Sequence, residues 1–142
     1  MVQRRLGLWL VFMSSLLVHV PAEAGAEWVA LEAHHQSHPL KTVYIDPHIV
    51  RRGGTVVEIS ALIDWKEMQG GRSPTRFYST KVTKQFDCAE KRVRTLTATD
   101  YYGHMGTGEV IGGGHTGEDQ WMAIEPGTIN QGLWEAACGK RR

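Results

Sequence analysis

The sequence predicts an α+β domain, mostly β, closed by one carboxy-terminal helix and preceded by an export leader. Three observations carry that prediction. Period-two alternation with one apolar face runs through the middle of the chain, a single stretch of helical spacing lies near its end, and a cysteine sits beside each kind of element. At 142 residues the chain makes one domain once the leader is set aside. A core of that size is thin enough for a covalent crosslink to matter.

Arg4 and Arg5 precede an apolar run over residues 6–20, interrupted only by Gly7, Ser14, Ser15 and His19. Pro21 and small residues ending in Ala24-Gly25-Ala26 follow, which is the three-part layout of a secretory signal peptide. An apolar run of about fifteen residues falls short of the roughly twenty that span a bilayer as a helix. Residues 1–26 therefore read as a cleaved leader and residues 27–142 as the mature domain, with cleavage after Ala24 as the second choice and no transmembrane segment left. The Arg4-Arg5 pair lacks the surroundings of a twin-arginine signal, so the general export route is expected. No cysteine lies at the cleavage site, and a lipid-anchored amino terminus is not expected.

Export decides how the two cysteines are read. Cys88 and Cys138 are too far apart for a redox pair and lack the further ligands of a structural zinc site. In an oxidising compartment they are expected to form a structural disulfide. Sixteen basic residues stand against fifteen acidic ones, and removing Arg4, Arg5 and Glu23 with the leader leaves the charge balanced. That balance argues against bulk binding to nucleic acid or to an anionic membrane.

Residues 27–33 read as a first strand opened by Trp28, and residues 34–39 as a polar loop ending at Pro39. Residues 41–46 alternate, with Val43 and Ile45 on one face. Pro47 cannot donate a ladder hydrogen bond, so the strand must stop or kink there before Ile49 and Val50 resume pairing ahead of a turn at Arg52-Gly53-Gly54. Residues 55–66 give the clearest strand, with Val57, Ile59, Ala61, Ile63 and Trp65 on one face, as in a sheet covered on one side. After a loop around Gly70-Gly71, residues 75–87 put Tyr78, Val82 and Phe86 on the same side as Cys88, with Lys81, Thr83 and Asp87 opposite.

Ala89-Glu90-Lys91 turns the chain, and residues 92–100, rich in Thr and Val, suit a pleated surface. Gly103, Gly106 and Gly108 mark a bend after Tyr101-Tyr102, residues 109–111 a short strand, residues 112–119 a glycine-rich loop, and residues 121–124 either an edge strand or an irregular packing segment. Thr128 and Gln131 make a capping box for a helix carrying Ile129, Leu133, Trp134 and Ala137, stopped at Gly139. Cys138 lies in its last turn, so a bridge to Cys88 holds the helix on the apolar face of the sheet.

Taken together, Tyr44-Ile45-Asp46-Pro47, residues 87–92 (Asp-Cys-Ala-Glu-Lys-Arg), Tyr101-Tyr102 followed by residues 105–110 (Met-Gly-Thr-Gly-Glu-Val), Pro126-Gly127 and Cys138-Gly139 give the chain a family likeness. It resembles the surface-adhesin protein E-like family of bacterial envelope proteins, in pieces that span almost all of the mature chain. The resemblance implies a single antiparallel sheet of about six strands with a carboxy-terminal helix packed on one face and tethered by the disulfide. It further implies a Gram-negative envelope, periplasmic or secreted location, and binding to host extracellular-matrix proteins such as vitronectin and laminin. Dimerisation, known in the family, implies a homodimer through an unpaired strand edge.

The residues themselves nominate few sites. Lys81, Lys84, Lys91, Arg92 and Arg94 crowd two adjacent strands, either as an ordinary solvated face or as a patch for an acidic polymer or a matrix protein. His34, His35 and His38 are weak metal candidates in what reads as a solvated loop, with His48 in the next loop. His104 lies among glycines with no nucleophile in a recognisable elbow, and Gly106-Thr107-Gly108 continues into neither a dinucleotide nor a phosphate loop. Trp121 and Trp134 read as core. No cofactor and no catalytic residue are expected. The chain is read as an exported non-enzymatic binding module for a protein partner, or alternatively as a periplasmic structural or accessory protein without adhesion.

Overall fold

Strand propensity and alternation dominate the chain from Val29 to Ala123, and the computed structural model, which describes residues 27–72, 74–115 and 120–139, turns them into a single antiparallel sheet. Its strands are β1 (Val29–Ala30), β2 (Lys41–Ile45), β3 (Val50–Gly53), β4 (Val56–Gln69), β5 (Phe77–Asp87), β6 (Arg92–Tyr101), β7 (Val110–His115) and β8 (Met122–Ala123). A helix, α1 (Ile129–Cys138), follows. The leader expected at residues 1–26 and the basic end of the chain lie outside the described residues.

The main path runs β1-β2-β4-β5-β6-β7. β2 and β3 lie end to end along β4, opposite residues 61–65 and 56–58 respectively, with Pro47 in the gap between them. β7 and β8 lie end to end along the outer edge of β6 in the same way. The six lanes implied by the family resemblance are therefore present, two of them interrupted.

One face of these lanes carries the core. Val43, Ile45, Val57, Ile59, Ala61, Val82, Phe86 and Val93 pack with Leu31, Ile124 and the fully buried Leu133 of α1. Burying one such side chain contributes about 1.5–3 kcal/mol. Cys88 and Cys138 are joined, with Cα atoms 5.5 Å apart, so the last turn of α1 is fastened to the end of β5.

Three local expectations are revised. The first strand is only two residues long: Leu31 turns into the core, and Ala33–His35 wind into a 3-10 turn. The side chain of Gln36 replaces the missing strand, accepting from the Val43 backbone N–H at 2.8 Å and donating to the Val43 and Leu31 carbonyls at 3.0 Å. Residues 112–114 are strand, not loop. Gly113 lies so close to β6 that a Cβ there would fall 2.0 Å from the Ala98 carbonyl oxygen. Those glycines permit close pairing where a loop was expected. The capping box is half made: Thr128 Oγ1 accepts from the Gln131 N–H at 3.3 Å, while the Gln131 amide turns down the helix to Glu135 at 2.6 Å.

Candidate functional site

Alternation gives every sheet two faces, and α1 covers only one of these. The opposite face carries Tyr44, Glu58, Ser60, Leu62, Asp64, Ser79, Lys81, Thr83, Gln85, Asp87, Arg92 and Arg94, as the strand registers require. Its two ends differ.

At one end the 3-10 turn His104–Gly106 folds back over the sheet. Asp64 Oδ1 accepts from the Met105 N–H at 2.8 Å and holds Met105 at a left-handed φ of 55°. Fully buried Ser79 donates to the Gly103 carbonyl at 2.6 Å and accepts from the Gly106 N–H at 2.8 Å. Lys81 runs beneath, with its ammonium 4.9 Å from the Tyr101 ring and its stem where a Cβ on Gly106 would sit. Leu62, on what alternation marks as the polar face, is completely buried. Here the sheet is covered on both sides, contrary to the one-sided expectation. His104 Nδ1 lies 3.2 Å from both Asp64 oxygens and its ring lies 4.3 Å from that of Tyr78, so it braces this turn.

The other end carries a side-chain ladder that crosses four strands. Arg52 grips Glu58 with two bonds of 3.0 Å, Gln85 donates to Glu58 at 2.8 Å, and Arg94 donates to Gln85 at 2.8 Å. The Arg94 guanidinium then lies 4.7 Å from the Trp121 ring, with that of Arg92 at 5.4 Å on the same ring. Hydrogen bonds from Arg52 first, then Gln85, hold the Glu58 carboxyl below its usual range, so it stays ionised. Arg92 also pairs with Asp87 at 3.0 Å.

Of the five basic residues nominated from sequence, Arg92 and Arg94 share the Trp121 ring, and the other three do not join them there. Lys84 projects from the other face, bonds Thr95 at 2.7 Å and lines two grooves beside the first turn of α1, of about 350 and 470 Å³. Lys81 lies under the glycine turn, and Lys91, at φ 50°, reaches over Trp134 from the β5–β6 turn. Arg52, Glu58, Gln85 and Trp121 escaped the sequence reading. Trp121 was expected in the core and instead flanks the two arginines, whereas Trp134 does pack against the core cluster. The signal was present in part: alternation alone puts Glu58 on the polar face of β4.

The three histidines also separate. His38 Nδ1 accepts from the Leu40 N–H at 3.1 Å within its own loop, and His48 pairs with Asp46 at 2.9 Å. His34 and His35 stay together, ring centroids 3.8 Å apart, beside Glu32 and Glu135.

A family model described as surface-adhesin protein E matches residues 28–139. Among solved structures, the selenomethionine form of Haemophilus influenzae protein E aligns at TM-score 0.56 with 14% identity, covering 83% of this chain and 90% of that one. Crystal form II of the same protein aligns at 0.54 with 17% identity, covering 68% and 79%. Protein E from non-typeable Haemophilus influenzae aligns at 0.51 with 14% identity, covering 79% and 84%. No curated protein matches the chain by sequence. At such identities the structural likeness speaks for the fold alone.

Proposed function

We propose that this chain, which belongs to the surface-adhesin protein E family, is an exported, non-enzymatic module that binds a protein partner through the uncovered end of its sheet. One observation carries the reading. α1 seals a single face, and the far face ends in the ladder of Arg52, Glu58, Gln85 and Arg94 capped by Trp121. Arg and Trp are the residues that most often anchor protein interfaces, because each offers a wide, rigid contact together with directed hydrogen bonds. Here the hydrogen bonds along the row hold both in place before a partner arrives, which lowers the ordering cost of binding. The row mixes charges, which suits a protein surface better than a uniformly acidic polymer.

The partner class is host extracellular-matrix protein, and the compartment is the cell surface or the medium; no described helix is long and apolar enough to cross a membrane. The absence of enzymatic chemistry is supported by the way Ser79, His104 and Asp64 are consumed in bracing the glycine turn. A dimer through β7 belongs to the same reading: among the described residues β7 pairs with β6 alone, and Val110 is 57% exposed.

Retention of the purified protein on immobilised matrix proteins tests the site. Trp121→Ala and Arg94→Ser should each weaken retention about tenfold, as loss of an interface anchor does, while Lys84→Ser on the other face should leave it unchanged. Equal retention of all three variants would refute the surface. Protease accessibility in intact cells separates display at the surface from a purely periplasmic accessory role.

A further inference from the structure

Away from the ladder, the short turn after β1 meets α1 around Gly132 and Glu135. Glu32, His34 and His35 each present a donor atom, and the three atoms lie within 4.8 Å of one another. Glu32 Oε2 is already 3.3 Å from His34 Nδ1. Behind them Glu135 of α1 places Oε2 2.6 Å from His35 Nε2. We propose that Glu32, His34 and His35, backed by Glu135, form a binding site for a divalent transition-metal ion of the zinc class, which fastens the amino-terminal arm to α1.

The donor chemistry selects the ion. Two imidazoles and a carboxylate suit Zn²⁺ and its first-row neighbours, whereas calcium and magnesium take oxygen donors in larger number. Tetrahedral zinc at about 2.1 Å from each donor needs donors about 3.4 Å apart. The Glu32–His34 pair meets that spacing now, and the remaining approach falls to exposed side chains, since His34 is 59% and Glu32 76% exposed. Glu135 supplies what a zinc-ligating histidine regularly has, a carboxylate on the ring, which fixes the imidazole and strengthens it as a donor. His35 Nε2 is buried against that carboxylate without a well-aligned hydrogen bond.

The backbone is arranged for the same junction. A Cβ on Gly132 would lie 2.4 Å from the His35 carbonyl oxygen, so the turn rests directly on the helix. A groove of about 390 Å³, lined by Leu31, Glu32, His34, His35 and Glu135 among others, leaves the donors open to entering ions. The cysteines, which would otherwise compete for zinc, are joined to each other. His38, His48 and His104 are held elsewhere by their own partners.

Titration calorimetry on the untagged protein with zinc chloride tests the site, with calcium chloride and the His48→Ala variant as controls. One zinc per chain should bind and raise the melting temperature, and calcium should do neither. His34→Ala and Glu32→Gln, both at exposed positions, should keep the metal-free melting temperature and weaken zinc binding by about tenfold or more. His48→Ala should bind as the parent does. Absence of zinc binding in the parent, or an affinity unaltered by His34→Ala and Glu32→Gln, would overturn the proposal. The test is independent of adhesion, so its failure leaves the ladder reading untouched.

Discussion

Asp87 closes β5 and gathers more hydrogen bonds than its neighbours. Its Oδ1 accepts from Thr55 Oγ1 at 2.7 Å and from the Ala89 and Glu90 N–H groups at 3.1 and 3.2 Å, and its Oδ2 takes Arg92 at 3.0 Å. The Thr55 bond, followed by those from Arg92 and the Glu90 backbone, brings the carboxyl from the ordinary 3.8 down to about 2. A carboxyl depressed on folding stabilises the fold above its unfolded pKa, and that stabilisation disappears as pH falls through the folded one. The urea midpoint should therefore drop between about pH 4 and pH 2, and Asp87→Asn should flatten that part of the profile while lowering the midpoint at neutral pH. A wild-type midpoint that stayed level across this interval would refute the assignment. Alternation in the sequence is enough to turn Asp87 away from the apolar face. Its partner Thr55, thirty-two positions earlier, becomes visible only when the register of β4 on β5 is known.

The helix and its tether show what a sequence can announce about an element and what it leaves open. Ile129, Leu133, Trp134 and Ala137 at helical spacing, with Gly139 as the stop, place α1 correctly, and Leu133 is indeed fully buried. The glycine run of β7 reads as a loop in the sequence because glycine serves both loops and close backbone approach; Gly113 against Ala98 is the second kind. Leu62 falls on the polar face by alternation yet is fully buried, and the turn that folds onto that face comes from residues about forty positions away, beyond the reach of any local pattern. The disulfide closes a loop of 50 residues, which in the chain-entropy model stabilises the fold by about 4 kcal/mol. Replacing Cys88 and Cys138 together with serine should lower urea stability by up to that amount, and reductant should do the same to the parent. Because Trp134 also donates to the Asp87 carbonyl at 3.3 Å, the helix should remain docked in the absence of denaturant, read as unchanged tryptophan fluorescence. Emission shifted to that of solvated tryptophan would mean that the sulfur link alone holds α1.

At the scale of the molecule, the face left by α1 divides into two unequal ends with separate duties. One end is closed: Asp64 and Ser79 pin the glycine turn against the sheet, and their polar groups are taken up in holding it. The other is open, and its polar groups are linked sideways into a row that a partner would meet as one surface. If stability resides at the closed end and recognition at the open one, the two can be separated by substitution. Asp64→Ala leaves the Met105 N–H without its acceptor and frees the turn, which should cost about 1–3 kcal/mol. It should also speed hydrogen exchange at residues 103–108, and leave retention on the partner unchanged. Arg94→Ser removes one hydrogen bond of the row, so it should cost about 0.5–1.5 kcal/mol of stability while lowering retention. The physical reason to expect such independence is distance across a stiff sheet: neither residue shares a hydrogen-bond partner with the other, and effects of that kind usually add. A variant at Asp64 that lost stability and retention together would show that the glycine turn is part of the recognition surface, and the division into two ends would fail.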